Sequence, residues 1–345
     1  MELTLSALAK VIGRNRRKMS KILITGGVGF LGYFISKILS ENKENQITIV
    51  DNLARGKLDS DFESLIKNDN LKFIRADLKD PKTFLQLDND FDYIYHLAAV
   101  IGVKNVIGNP DQVLHVNAIS TLNLLEFSKN IKTLKRILFS STSEIYAGTL
   151  KNFGIEIPTN EEVKLTIEDI KSRRTTYALS KMFCESAFFS FGDKYNIPFT
   201  IVRYHNVYGP RMGFAHVIPE TFLKIVKNKD ISVPSPNHSR AFCYVDDAVK
   251  MTVKACTMKK TNKQILNIGN SDEELKIKDL VLKIAKVMNK EIKIDEQPET
   301  LGSPVRRCPD VSRIERLTGL KATVSLNDGI KKTYDWYKNK LDEKL

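Results

Sequence analysis

Thr25-Gly26-Gly27-Val28-Gly29-Phe30-Leu31-Gly32 is the stretch that decides the fold of this chain. Before it, Lys21–Thr25 is a short apolar run of β character; after it, Phe30–Ser40 spaces its apolar residues as a helix does. A strand that runs into glycines at 26, 29 and 32 and then opens a helix offers free backbone N–H groups to phosphate. The first glycine permits the tight turn, the second lets a pyrophosphate approach the backbone, and the third allows helix and strand to pack closely. The next β-rich run, Gln46–Val50, ends at Asp51, where an acid can bind the hydroxyls of an adenosine ribose. Asp51 also repels a 2′-phosphate, which favours NAD over NADP, although Arg55 lies close downstream.

Outward from that turn, strand and helix alternate. Leu71–Ala76, Tyr93–Leu97, Arg136–Phe139 and Phe199–Arg203 read as strands, and Val113–Lys129 and Thr176–Tyr195 as helices. Such alternation implies a parallel sheet covered on both faces. After Arg203 the pattern breaks up. Helices are predicted over Val217–Val226, Val245–Met258, Ile277–Met288 and Leu326–Asn339, with a brief return to strand at Gln264–Ile268. The expected division is a basic extension at 1–18, a cofactor-binding domain at 19–204, and a smaller, mostly helical substrate lobe at 205–345. Residues 264–268 of that lobe return to the sheet region.

Composition narrows the classes. The 345 residues are 42% hydrophobic and 28% charged, a globular balance that argues against wholesale disorder. No run approaches the length of a membrane span. The four cysteines, Cys184, Cys243, Cys256 and Cys308, are far apart and form no metal-binding or disulfide pattern, so no metal is expected and a reducing cytoplasm fits best. The net charge of +13 is partly local: Lys10, Arg14, Arg16, Arg17 and Lys18 face the single acid Glu2 within 1–20. The rest is spread thinly, without the aromatic-interleaved clusters of a nucleic-acid binder. Residues 1–18 fit a dispensable extension ahead of a start at Met19, a surface or membrane-tethering helix, or a targeting segment; the first is favoured.

Two further patterns carry chemistry. Tyr177 and Lys181 stand at i, i+4 on one predicted helix face. Lys181 would lower the phenol pKa by its charge and bond the nicotinamide ribose, and Tyr177 would exchange a proton with a substrate hydroxyl. Alone, such a pair is ordinarily a surface contact; the glycine turn makes it specific. The run Ser140-Ser141-Thr142-Ser143-Glu144 puts hydroxyls and a carboxylate at the C-terminal end of a parallel strand, where ligands bind in such sheets. The plain alternative is N-capping and turn chemistry.

With these motifs in order, the sequence resembles the extended short-chain dehydrogenase/reductase family, in particular its nucleotide-sugar epimerase/dehydratase group, over nearly all of 20–340. The resemblance rests on the glycine turn, Asp51-Asn52-Leu53, Ala76-Asp77-Leu78, His96-Leu97-Ala98-Ala99, Asn117, the Ser/Thr strand end, and Tyr-x-x-x-Lys. It continues through Arg203–Arg211, Arg240–Asp247 and Arg306-Arg307-Cys308-Pro309-Asp310. It implies a Rossmann-type doubly wound parallel sheet. Gly26, Gly29, Phe30, Leu31, Gly32, Asp51, Asn52, Asp77, Leu78, Leu97, Ala98, Ala99, Tyr177 and Lys181 would then bind NAD. Tyr177, Lys181, Thr142 and Glu144 would form the catalytic set. Thr142, Asn206, His216, Val217, Arg240 and Arg307 would hold a nucleotide-diphosphate sugar, with Arg211 and Arg306 as weaker candidates and His96 and His115 as structural residues. A homodimer through Val113–Lys129 and Thr176–Tyr195 is also implied.

The implied shared step is oxidation at sugar C4. Thr142-Ser143-Glu144 resembles the trio in GDP-mannose 4,6-dehydratases and UDP-glucuronate decarboxylases, so the reading leans to dehydratase or decarboxylase chemistry. The alternatives are a nucleotide-sugar 4-epimerase and, from a different class, a non-catalytic NAD-binding sensor or scaffold. In extended geometry Thr142 and Glu144 would point to the same face.

Overall fold

The computed structural model describes residues 19–227, 230–300 and 303–341. The extension at 1–18 lies outside the described residues. Seven parallel strands form the central sheet: β1 (Lys21–Thr25), β2 (Gln46–Asp51), β3 (Leu71–Arg75), β4 (Tyr93–His96), β5 (Arg136–Thr142), β6 (Phe199–Tyr204) and β7 (Gln264–Ile268). Their spatial order is β7-β6-β5-β4-β1-β2-β3, so the direction of strand addition reverses between β1 and β4. In open sheets of this kind ligands bind at that reversal, beyond the carboxyl ends of the strands. The glycine turn leaves β1 at this point.

The strands are apolar throughout because both faces are covered. Along β1, Ile22 and Ile24 join one core while Leu23 joins the other. The first core lies against helix α1 (Phe30–Ser40) and the C-terminal helices. The second lies against α2 (Pro110–Ser128) and α3 (Thr175–Tyr195). Pro110 stands at the start of α2, where its missing N–H costs no helical bond. Asn196 ends α3 in the left-handed region, with φ 56°. Asn117 of α2 donates to Ser180 Oγ of α3 at 3.0 Å and accepts from the Val100 N–H at 2.8 Å, so one amide fixes both helices and the loop after β4.

Beyond β6 the chain adds β7 to the sheet and carries helices at Val217–Lys227, Val245–Thr257, Ile277–Val287, Ser312–Thr318 and Leu326–Leu341. Between them lie short strands. Ser239–Ala241 is flanked by antiparallel Glu274–Lys276 and parallel Arg306–Arg307, and this small sheet aims Arg240 and Arg307.

Candidate active site

Gly26 adopts φ +71°, and a Cβ there would lie 2.6 Å from the Ala98 nitrogen; a Cβ on Gly32 would lie 2.3 Å from the Gly26 carbonyl oxygen. The first and third glycines thus have the turn and packing duties expected of them. A Cβ on Gly29 would meet only the Gly26 oxygen, at 3.2 Å, so this glycine's missing side chain leaves room above the turn. Gly29 also caps α1 without any side-chain bond, leaving the N–H groups of Phe30 and Leu31 for a phosphate. Asp51 accepts from Val28 N–H at 3.1 Å and Leu53 N–H at 2.8 Å, one bond on each oxygen. Burial raises its pKa, against the lowering by those two bonds. Each oxygen keeps a lone pair for a ribose hydroxyl. Asn52 Nδ2 reaches Asp77 Oδ2 at 3.3 Å, Leu78 is buried, and Leu97, Ala98 and Ala99 line the chain beside Gly26 half-buried. A helix N-terminus with open N–H groups, a glycine cradle and a ribose acid fit NAD.

Strand β5 runs three residues farther than predicted, through Ser140 and Ser141 to Thr142. A 3₁₀ turn over Ser143–Tyr146 follows, and Glu144 N–H donates to Thr142 Oγ1 at 3.2 Å. The extended geometry expected for Thr142 and Glu144 is therefore corrected: Thr142 caps the turn that carries Glu144. Thr142 also hydrogen-bonds the Tyr177 phenol. Lys181, 2% exposed, donates to the Ser140 carbonyl at 2.8 Å. Burial draws its pKa down to about 8.

Lys181 lies on the Tyr177 side of the helix, as their i, i+4 spacing predicts. Its ammonium stands 6.0 Å from the Tyr177 ring centroid. The phenol pKa is raised, first by burial and then by the Glu144 charge, while Thr142 and Arg55 oppose the rise.

Glu144 Oε1 accepts from Arg307 Nη1 at 2.6 Å. Burial would raise the Glu144 pKa, but Arg307, then Arg174 and Arg240, overcome it and hold the carboxyl below its ordinary value. Arg240 donates to Ser303 Oγ at 2.9 Å and to the Ser239 and Val305 carbonyls. Burial and the neighbouring Arg307 lower its pKa to about 10, so it stays charged at neutral pH. Asn206, at φ 37°, donates to the Ala241 carbonyl at 3.0 Å. Together with Val217 and Arg240 it lines a cavity of about 300 Å³. His216 Nε2 lies 3.3 Å from Arg55 Nη2, across the cleft from the cofactor half; burial, then Arg55, lower its pKa to about 4.

Arg211 and Arg306 serve elsewhere. Arg211 pairs with Asp59 and lies 4.1 Å over the Tyr33 ring, and Arg306 grips Glu274 at 2.8 and 2.9 Å. His96 is buried between Thr25 Oγ1 at 2.8 Å and Thr121 Oγ1 at 3.0 Å, and His115 is exposed on α2.

A buried hub that the motifs did not reveal sets the Glu144–Arg307 geometry. Asn267 of β7 accepts from Tyr146 Oη at 2.9 Å and donates to the carbonyls of Thr159 and Asp310 at 2.9 and 3.1 Å. It thereby ties the end of the Glu144 turn to the chain just past Arg307. Arg203 donates to Tyr146 Oη at 2.9 Å and grips Glu185 at 3.0 and 2.6 Å. Glu161 accepts from the Asn267 N–H at 2.7 Å. The only sequence signal for Asn267 was a polar residue inside an apolar strand.

Residues 22–269 match the NAD dependent epimerase/dehydratase family. The chain belongs to this family and is an NAD-dependent enzyme. Over 329 residues it is 31% identical to the UDP-N-acetyl-alpha-D-glucosaminuronate decarboxylase of Bacillus cytotoxicus, covering 92% of this chain and 98% of that one. It is 29% identical to UDP-glucuronic acid decarboxylase 6 of Arabidopsis thaliana, covering 90% of this chain and 86% of that one. Its fold is also similar to a crystal structure of UDP-glucuronic acid 4-epimerase from Bacillus cereus, in complex with UDP-glucuronic acid and NAD. That similarity has a TM-score of 0.78 at 28% identity and covers 92% of this chain and 99% of that one.

Proposed function

We propose that this enzyme decarboxylates a UDP-linked uronic acid by transient oxidation at sugar C4. The observation that carries the reading is the ion pair of Glu144 with Arg307, with Arg174 and Arg240 acting on the same carboxylate. Three guanidinium groups around one carboxylate leave an excess of positive charge. The two negative charges of a nucleotide-sugar diphosphate would balance it, and the uronate reading is supported by the identity to the decarboxylases.

When bound, NAD supplies the hydride acceptor and donor for C4 and the positive charge of its nicotinamide ring. Tyr177, as the phenolate that the Lys181 ammonium and the charge of the bound nicotinamide ring would favour, would take the C4 hydroxyl proton, and Thr142 would hold O4. Lys181, fixed by the Ser140 carbonyl, keeps a positive charge under the site at neutral pH. The C4 ketone makes a C6 carboxylate a β-keto acid, so the C5–C6 bond breaks as carbon dioxide leaves and its electrons pass to O4. Protonation at C5 then restores the ketone. Arg307 holds Glu144 ionised, a form that can orient substrate and arginine. The decarboxylase relatives favour this reading over a 4,6-dehydratase. The second reading, 4-epimerisation of a UDP-uronic acid, is supported by the Bacillus cereus similarity. A non-catalytic sensor would have no use for Tyr177 and Lys181 together.

Asn206, His216, Val217 and Arg240 fit the nucleotide diphosphate. The exposed Leu114 of α2 and Phe183 of α3 support a homodimer through these helices. Among the described residues no helix is long and apolar enough to cross a membrane. All four cysteines are free and buried, which fits a reducing cytoplasm. The test is to offer purified enzyme UDP-glucuronate, UDP-N-acetylglucosaminuronate and UDP-glucose and follow products by mass and NMR. Turnover of the uronates with loss of carbon dioxide supports the reading; turnover of UDP-glucose alone overturns it.

A further inference from the structure

Two segments whose residues fit different ligands exchange arginines. The loop after β2 runs from the ribose acid Asp51 to Asp59, which caps the helix Ser60–Leu65, and it carries Arg55. The segment 209–216 leads from the strand Val207–Tyr208 into the helix Val217–Lys227; it carries Arg211 and ends at His216. Arg55 Nη2 lies 3.3 Å from His216 Nε2. In the other direction, Arg211 Nη1 pairs with Asp59 and stands 4.0 Å from Asp61 Oδ2. These two contacts join residues 161 and 152 positions apart. Arg211 also reaches the glycine turn: its Nη2 donates to the Val28 carbonyl at 3.4 Å, while Val28 N–H donates to Asp51 Oδ2 at 3.1 Å. Val28 is thus held between Arg211 and the ribose acid. The Arg211 side chain is 5% exposed, and its backbone is left-handed at φ 67°, which a residue with a side chain adopts only when its surroundings impose it. Residues 52–58 and 209–216 lie outside helix and strand, so contacts such as these fix where they sit.

We propose that this reciprocal pair of arginine contacts couples the two ligands, so that NAD on the Asp51 loop and substrate at His216 strengthen each other's binding, with Arg211 as the positioning residue that carries the coupling. This rests on the UDP-sugar reading above. NAD on Asp51 fixes the loop, and the loop holds both Asp59 and Arg55. Asp59 then fixes Arg211, and Arg55 fixes His216, at the two ends of the segment that leads to the substrate. The second ligand meets a segment already ordered and loses less conformational freedom on binding. By linkage, substrate must tighten NAD by the same factor.

The experiment titrates NAD with and without saturating UDP, and UDP with and without saturating NAD, by calorimetry on the full-length protein. It compares the parental protein with Arg211→Gln, Arg211→Lys and Arg55→Gln. In the parental protein each ligand should tighten the other about tenfold, by equal factors. Arg211→Gln and Arg55→Gln should bring both factors close to one. Arg211→Lys, which keeps a charge toward Asp59, should retain most of the coupling. Independent binding in the parental protein overturns the proposal. So does coupling of parental size in Arg211→Gln and Arg55→Gln, because an arginine that only supports the fold would weaken both ligands without changing the factor between them. If Arg211→Gln folds poorly, Arg55→Gln, a change at an exposed side chain, decides alone. Failure of the decarboxylase reading would show differently: uronates would not lose carbon dioxide, while UDP and NAD would still tighten one another.

Discussion

Glu144 and Arg307 stand 163 residues apart in the chain, yet Oε1 of one lies 2.6 Å from Nη1 of the other. Glu144 is presented by the 3₁₀ turn that follows β5, and Arg307 by the two-residue strand Arg306–Arg307. The pair therefore joins the end of a central-sheet strand to a small strand near the C-terminus. Glu144→Gln removes the charge that Arg307 answers. Steady-state turnover should fall by about two orders of magnitude or more, while NAD affinity by calorimetry stays near the parental value. Parental turnover in the variant would remove Glu144 from the chemistry.

Tyr177→Phe deletes one oxygen and little packing. Turnover should drop by roughly two to four orders of magnitude, the usual scale for a positioned acid–base group. Calorimetry with NAD should show nearly unchanged binding. A variant that still turns over substrate at the parental rate would dismiss the phenol as the proton carrier.

Asp51 carries the cofactor preference. The parental protein should bind NAD more tightly than NADP, because a 2′-phosphate would face this carboxylate. Asp51→Asn should weaken NAD and narrow the gap between the two cofactors. Tighter NADP binding by the parental protein would reverse this account.

Lys181 has a lowered pKa, about 8 against an ordinary 10.5, because burial disfavours its charge. The folded chain then binds fewer protons than the unfolded chain between those two values. The stability contribution of this residue therefore rises with pH through that window, is complete above it, and is absent below about 8. NMR titration of selectively labelled lysine should show one side chain with a midpoint near 8 that disappears in Lys181→Met. A Lys181 midpoint at or above the ordinary value would contradict the burial account.

Arg203 and Glu185 form a buried pair whose side chains are 2% and 6% exposed. Glu185→Ala would leave the Arg203 charge without its carboxylate, a loss of about 3–5 kcal/mol in unfolding free energy. Denaturant titration measures it, and a loss within experimental error would show that the arginine finds another partner.

The glycine turn, β1 and α1 were legible because their determinants are local: a turn needing glycine, an apolar run, a helical period. Lys21–Thr25 and Phe30–Ser40 have the predicted bounds. Tyr177 and Lys181 were legible for the same reason, since i, i+4 spacing on one helix needs no tertiary knowledge. The Thr142–Glu144 relation was misread because β5 passes into a 3₁₀ turn at that point, and strand alternation stops there. The Asn267 hub and the Glu144–Arg307 pair were not legible, because each joins segments more than a hundred residues apart.

The most direct measurement follows a UDP-uronic acid isotopically labelled at its carboxylate carbon, incubated with enzyme and NAD. The account predicts that the label leaves as carbon dioxide and that the UDP-pentose product carries one solvent hydrogen at C5. Retention of the label with inverted configuration at C4 would contradict it and make the enzyme a 4-epimerase.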